Sequence, residues 1–518
     1  MSGGTVVGSR IRRGVFWSAT NSFVLRAAQF GMGVVIARIV SPHDFGVFVV
    51  ALTVYAVVIN VSEVGVGAAV IREVERSKQI APTVASIALA SSALLAVLMV
   101  AGSPWLASAL GSSAATSSIQ VLALTVVLAG VGAVPAALMN REYMQKEQFY
   151  ADVGLFVSAN GVLVVLALSG AGPLALAWSR VAGQLVSTCL LVYLAPERYW
   201  PRFDPKEARA LLRFGLPLAG GNLIYFAISN LDFIIVGRLK GALQLGYYNL
   251  AFNISSWPVS VFSSVLNSVT LPTLARARNS KPELRRHLMA GMSALSAAAF
   301  PVTALCVALA HPLIEAVYGP QWAPAANALI VLALFGSVRL VMWLLSDVIV
   351  ALGDTRTLFR LNIVWFAVLV PAMYFGVHRW GIVGAGLGQT AVAAVVILPS
   401  FLFVVRWKLG CSVMDVIRAG GYPVMAALAA GVAARVAVDR IDSPWPALTA
   451  GAVIGLAVYA GLLVGWLRRL IATLRELYGT RQPGAVEPEI AGVLIAGQQA
   501  DTPALSARTP SDVNPEVV

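Results

Sequence analysis

The chain has 518 residues, 58% of them hydrophobic and only 12% charged, where a soluble domain carries roughly 45–50% apolar and about 25% charged residues. That balance excludes a soluble globular protein and makes the chain an integral membrane protein. Lys and Arg outnumber Asp and Glu by 37 to 24, a net charge of +13, so the position of the basic residues decides whether nucleic acid is a candidate partner.

The N-terminal stretch MSGGTVVGSRIRRGVFW is basic, but the apolar run after it is of spanning length, contains Asn21 and Arg26, and has no small-residue cleavage site. It reads as a first span and not as a removable signal. A bilayer core of roughly 30 Å takes about 20 helical residues, and every backbone group inside it must be paired. With that ruler fourteen spans follow in order: 14–40, 45–71, 82–102, 117–139, 152–169, 174–195, 214–236, 244–268, 287–309, 325–352, 358–377, 382–405, 421–438 and 446–467.

The connections RSKQ, NREYMQKEQ, PERYWPRFDPKEARALLR, LARARNSKPELRR, GDTR and RWK lie on one side, with both termini. The opposite connections hold only Arg238, Lys240, Arg379 and Arg440, and one of them, SPWLASALGSSAATSS, is uncharged. This is a positive-inside bias. It places both termini in the cytoplasm, explains the basic charge by topology and removes nucleic acid as a partner. No connection is long enough to fold into a catalytic domain.

After span fourteen, LRRLIATLRELY puts Leu467, Leu470, Ile471, Leu474 and Leu477 on one helical face, the pattern of an interfacial helix at 468–479. The Pro- and Ala-rich segment 480–518 reads as a disordered cytoplasmic tail. Residues 1–13 form a cytoplasmic N-terminal segment, 14–195 a first lobe, 196–213 a cytoplasmic linker, 214–405 a second lobe and 421–467 two extra spans. Cys189, Cys306 and Cys411 are far apart and read as free thiols; the four histidines have no zinc spacing, so no metal site and no cofactor is expected.

The hairpin segment ARIVSPHDFGVF (37–48) returns as GRLKGALQLGYY (237–248). An ungapped offset of 200 residues superposes Arg13 on Arg213, Arg38 on Arg238, Gly46 on Gly246 and Ala51 on Ala251. Farther on, GPLALAWSRVAGQ from Gly172 matches GIVGAGLGQTAVA from Gly381 at an offset of 209. The expected fold is therefore all-α and polytopic: two six-span repeats and two further spans. An even number of spans per repeat makes the copies parallel, with the substrate path between them.

Several spans carry polar faces. Span eight has Asn249, Asn253, Ser256, Ser260, Ser263 and Asn267 on one stripe, and span two has Thr53, Asn60, Glu63 and Gly67 at corresponding places. Span one offers Ser22, Arg26 and Gln29, and span seven Asn222, Tyr225, Ser229 and Asp232. Most of the serines fit ordinary helix packing at roughly 0.6 kcal/mol per hydrogen bond. The ionisable residues Arg26, Glu63, Arg180, Asp232, Arg339 and Asp347 fit it poorly, because a mid-bilayer charge costs at least about 2.5 kcal/mol; they line a wet cavity or are paired. Arg339, Trp343 and Asp347 stand at four-residue steps on span ten, as do Arg180 and Gln184 on span six. Arg38, Arg238 and Arg435, at span ends, are placed to snorkel toward head groups. The spans contain arginine and no lysine, which suits a ligand with phosphate, since a guanidinium stays charged and grips two oxygens.

The segments RRGVFWSATNSF with ARIVSPHDFGVFVVAL, SEVGVGAAVI (62–71) and NLDFIIVGRLKGALQLGYYNLAF (230–252) resemble the bacterial polysaccharide transporter family, the Wzx-like flippases of lipid-linked oligosaccharides. Their superfamily also holds multidrug exporters and the lipid II flippase, and the likeness covers about residues 10 to 420. The resemblance implies a V-shaped, two-lobed transporter of the bacterial cytoplasmic membrane that carries an undecaprenyl-diphosphate oligosaccharide outward, with spans thirteen and fourteen bordering a groove for the lipid tail. On that reading Arg26, Arg180 and Arg339 meet the diphosphate, and Asn60, Asn222, Asn249, Asn253 and Asn267 meet the sugars. Glu63, Asp232 or Asp347 couples H+ or Na+ entry, and polysaccharide polymerases are partners. The rival readings are a multidrug or cation antiporter of the same superfamily, a polymerase or ligase, and a membrane scaffold.

Overall fold

The structure, a computed structural model of the chain, describes residues 28–29, 31–72, 77–142, 144–197, 201–209, 211, 213, 230–276 and 280–479; for 62–72, 77–80, 260–276, 355, 413 and 467–479 it describes the backbone alone. All regular structure among the described residues is helical. Met1–Thr473 forms one compact unit and Leu474–Val518 a second, described only as far as the end of the last helix.

In the first lobe the described helices are Pro42–Arg72 (span two), Ser77–Ala109 (three), Thr116–Arg141 (four), Gln145–Leu168 (five) and Pro173–Leu194 (six). Span four packs against two, three and six, and five packs on six. In the second lobe Leu231–Arg276 carries the end of span seven and span eight, followed by Lys281–Ala308 (nine) and Ala325–Ala351 (ten). Thr355–Ala391, a π turn at Val392–Ile397 and Leu398–Leu409 make spans eleven and twelve. Val413–Val438 and Pro444–Gly479 complete the chain. Ten helical stretches among the described residues are long and apolar enough to cross a membrane, and the longest, Arg356–Leu409, holds spans eleven and twelve together. Most of span one and of span seven lies outside the described residues.

The helices begin and end where local chemistry permits. Ser280 caps span nine by accepting from the Glu283 amide, and the Asp354 carboxylate caps span eleven through the Thr357 amide at 3.1 Å. Ser412 and Asp415 form a capping box at span thirteen. Gly410, left-handed at φ 65°, closes span twelve. The segment 468–479 continues span fourteen as one helix to Gly479.

The repeat is visible in the backbone. Gly172 opens span six at φ 56°, ψ −135°, and its partner at the offset of 209, Gly381, opens span twelve at φ 61°, ψ −141°. Only glycine adopts that conformation without strain, so both copies kept the same turn. The two opening hairpins use different chemistry for one bend. Ser41 turns the first, its hydroxyl accepting from the Asp44 amide at 3.1 Å and donating to the Asp44 carboxylate at 2.9 Å, whereas Gly241 turns the second at φ 76°.

These hairpins join the lobes. Gly46 of span two and Gly246 of span eight, repeat partners by sequence, lie against each other; a Cβ on Gly46 would overlap the Ala242 carbonyl, and one on Gly246 would press on the Pro42 carbonyl. Beside them Trp322, 1% exposed, donates its indole N–H to the Ala37 carbonyl at 2.8 Å. Its ring stands edge-on to Phe45 of the first lobe at 5.5 Å and to Tyr247 of the second at 6.1 Å. Gln321 donates to the same Ala37 carbonyl at 2.7 Å. Arg38 returns the contact, giving hydrogen bonds to the carbonyls of Ala316 and Val317. It is thus tied into the second lobe instead of reaching for head groups. Arg435 pairs with Asp439 one turn on, at 3.2 Å.

Spans thirteen and fourteen are fastened to span nine. Ser293 donates to the Ala419 carbonyl at 2.8 Å, Tyr459 to the Ala297 carbonyl at 2.6 Å, and Arg285 pairs with Asp415 at 2.7 Å. Gly431 and Gly455 admit Ala304 and Leu305 of span nine at close range.

Candidate functional site

Span six has two exposed faces. Trp178 and Leu185, 44% and 48% exposed, form an apolar one that suits lipid. Arg180 is also exposed, yet it stands two residues from Trp178, about 200° around the helix at 100° per residue. Its side chain is therefore turned away from lipid and toward the interior of the protein. There its guanidinium lies 5.5 Å from the ring centre of Tyr55 of span two, itself nearly buried. A guanidinium lying over an aromatic ring is held without losing its charge or its hydrogen-bond fork.

The second lobe carries a different constellation. Asp232, 4% exposed, accepts a hydrogen bond from the Tyr248 hydroxyl at 2.9 Å and one from the Gln389 amide at 3.2 Å, both on the same carboxylate oxygen. The other carboxylate oxygen and the Gln389 carbonyl oxygen are buried and have no hydrogen-bond partner among the described residues. Arg339 of span ten is near enough to act electrostatically on the Tyr248 hydroxyl. It is flanked by Phe335 and Trp343, each ring centre 5.7 Å from its guanidinium, and Asp347 follows half-buried on the same stripe. Spans seven, eight, ten and twelve thus bring an acid, a phenol, an amide and a guanidinium into one region.

The asparagines divide. Asn249 is buried and accepts from the exposed Asn253 at 2.7 Å, while the Asn60 amide donates to its own helix at the Ala56 carbonyl, 2.7 Å away. Of these three, Asn253 presents the most accessible amide. Arg26 and Asn222 lie outside the described residues, as do the side chains of Glu63 and Asn267. No cluster of three metal-ligating side chains occurs among the described residues.

Sequence patterns alone pointed to Asp232, Arg180 and Arg339 but not to Tyr55, Tyr248 or Gln389. A signal for one of them was present, because the offset of 209 sets Gln389 opposite Arg180. The same repeat position faces an aromatic ring as an exposed cation in one copy and holds a buried acid as a neutral amide in the other.

Comparison with known proteins places this arrangement. The profile of the family described as "Polysaccharide biosynthesis protein" matches residues 35–327, more than half of the chain. The chain belongs to that family. Among similar proteins of this family's kind is the succinoglycan biosynthesis transport protein ExoT of Rhizobium meliloti, 24% identical over 93% of this chain and 98% of its own. The lipopolysaccharide biosynthesis protein WzxC of Escherichia coli is also 24% identical, over 77% and 82% of the two chains. The lipid II flippase MurJ in an inward closed conformation superposes with a TM-score of 0.72 at 14% identity, covering 88% of this chain and all of that one. A multidrug resistance MATE transporter in an inward-facing conformation superposes at 0.60 and 17% identity, covering 74% and 94%. The family member described here is thus a multi-pass membrane protein with the exporter fold that those structures share, and the two-lobed architecture expected from its repeat is that fold.

Proposed function

We propose that this protein is a flippase that moves polyprenyl-diphosphate-linked oligosaccharide across the bacterial cytoplasmic membrane, by alternating access, for assembly of a cell-surface polysaccharide. The observation that carries this reading is Arg180: an exposed guanidinium on the face of span six opposite the lipid-facing Trp178, steadied by Tyr55. A cation kept accessible inside a membrane protein requires an anionic guest or water, and a diphosphate offers the paired oxygens a guanidinium grips. Arg339 on the second lobe is the second phosphate contact, and Arg26 is assigned to the same set on sequence grounds. Asn60, Asn253 and their neighbours meet the sugars. The names of the relatives, which concern transport or synthesis of surface polysaccharides, agree with this assignment.

Both termini are assigned to the cytoplasm by the positive-inside bias, so the joined hairpins close the outer side. Asp232 is the ion-coupling residue we favour over Glu63 and Asp347. Its second oxygen and that of Gln389, both buried and without a hydrogen-bond partner among the described residues, are acceptors for H+ or Na+, and loading such a site changes the charge inside the second lobe. Polymerases that consume the exported repeat unit are the expected assembly partners. The same acid, in a fold shared with a multidrug transporter, is what favours the antiporter as the second reading.

The test is the lipid-linked sugar pool of a deletion strain. Flipping predicts that one glycolipid intermediate accumulates on the inner leaflet, that the wild-type gene clears it, and that Arg180→Ala and Arg339→Ala clear it at least tenfold more slowly at normal membrane abundance. Unchanged glycolipid pools with raised drug sensitivity would replace the flippase by the antiporter.

A further inference from the structure

The joint between the lobes has two edges related by the internal repeat, and they are built differently. Each lobe has a loop that opens on a glycine at positive φ, Gly111 at 86° and Gly319 at 108°, followed by one short 3-10 turn, Ser113–Ala115 or Pro320–Trp322. Each loop reaches across to the opposite lobe. Gly319 lies 3.8 Å or more, by way of an added Cβ, from the Arg38 side chain at the end of span one, and Gly111 meets Gly237 and Arg238 at the end of span seven. Arg38 and Arg238 are themselves repeat partners, so the two edges are the same contact made twice.

What fills them is unequal. At the Gly319 edge three side chains donate across the lobes: Arg38 to the Ala316 and Val317 carbonyls, and Gln321 and Trp322 to Ala37. Trp322 adds a fully buried ring wedged between Phe45 and Tyr247. At the Gly111 edge the residue corresponding to Trp322, by the offset of 208 that relates the two glycines, is Ala114, and it is exposed. That edge consists of backbone against backbone, Gly111 and Leu110 on Gly237, and among the described residues no side-chain hydrogen bond crosses it. Between the edges Gly46 and Gly246 bring the two backbones into close contact.

A joint tied by directional bonds on one side and by smooth glycine contact on the other does not part evenly. Small-residue contacts permit rotation at nearly constant separation, whereas a buried indole with its N–H satisfied must leave its pocket in one step, and an interface with two packed arrangements switches between them. We propose that the outer joint is a one-sided clasp: Trp322, Arg38 and Gln321 latch one edge, and the Gly111–Gly237 edge is the pivot about which the lobes separate to open the outer side.

Spin-label distances in the purified full chain test this without any cargo, so the outcome does not depend on the flippase assignment. In a background with the three native cysteines replaced, the clasp edge is reported by Ile39→Cys with Asn327→Cys, and the pivot edge by Ser113→Cys with Leu243→Cys. Trp322→Phe combined with Arg38→Met and Gln321→Met removes all three donors while keeping a ring and side chains of similar length. The expected result is a new, longer population at the clasp edge and an unchanged distribution at the pivot edge. Equal lengthening at both edges, or no change at the clasp edge in a variant that elutes as the wild type does, would overturn the proposal. Should that variant not survive purification, a thiol cross-linker on the same pairs in the otherwise native protein decides. Bridging the clasp edge must abolish a second, longer population that appears on reconstitution in liposomes, and bridging the pivot edge must preserve it at the clasp edge; the opposite pattern, or loss in both, overturns the pivot.

Discussion

Tyr248 shows what a single side chain contributes here. Its hydroxyl, buried between Asp232 and the neighbourhood of Arg339, is one of two side-chain donors on that carboxylate among the described residues. Tyr248→Phe keeps the ring contacts with Phe233 and Phe252 but leaves the acid under-bonded. We expect a loss of about 1–3 kcal/mol, the cost of an unsatisfied buried acceptor, read as a lower thermal midpoint in detergent. Tyr55→Leu removes only the ring beneath Arg180, worth about 0.5–1 kcal/mol for an accessible cation–π contact, so glycolipid clearance should fall several-fold, less than in Arg180→Ala. The acid and the arginines were legible in the sequence because a charge inside an apolar run is conspicuous. The tyrosines were not, since an aromatic residue in such a run looks the same whether it faces lipid or holds a guanidinium.

Among elements, the spans were legible and their ends were not. Span thirteen reads as 421–438 by hydropathy but begins at Val413, because Ser412 and Asp415 cap the helix beyond the apolar window; span nine likewise starts six residues early, at Lys281 under the Ser280 cap. Hydropathy measures where the bilayer ends, whereas capping decides where the helix does. The loop between spans ten and eleven offers a pH test of such an end. Asp354 caps span eleven and is held by the Lys408 ammonium at 2.5 Å, which with Thr357 lowers its pKa from the ordinary 3.8 to about 2. A depressed acid stabilises the folded form above its unfolded pKa and loses that contribution as pH falls. The difference in thermal midpoint between wild type and Asp354→Asn should therefore be constant above pH 4 and shrink between 3.8 and about 2. A difference that persists through that window would place the effect in the cap and not in the ion pair.

For the molecule as a whole, the repeat was readable from two offsets, and Gly172 with Gly381 confirms it in backbone angles. The joint between the lobes was not readable, because Trp322 and its acceptor Ala37 are separated by 285 positions and only Ala37 sits in a repeated segment. The attachment of spans thirteen and fourteen was also hidden, since it depends on glycines whose neighbours are known only after folding. Gly455 lies where any side chain would strike Leu305 of span nine. Gly455→Leu should cost about 1–3 kcal/mol by overpacking, visible as earlier thermal aggregation, while Gly461→Leu, at a glycine with open space around it, should not.

The exchange of Arg180 for Gln389 at one repeat position carries a further consequence. A guanidinium at 389 would add a second cation to the region that Asp232 already shares with Arg339. In the second copy the neutral amide of Gln389 donates to Asp232 in place of a cation, while in the first the guanidinium of Arg180 faces the Tyr55 ring. Duplication of one hairpin bundle thus left the two copies with different polar groups at one repeat position, a cation in the first and a neutral amide in the second.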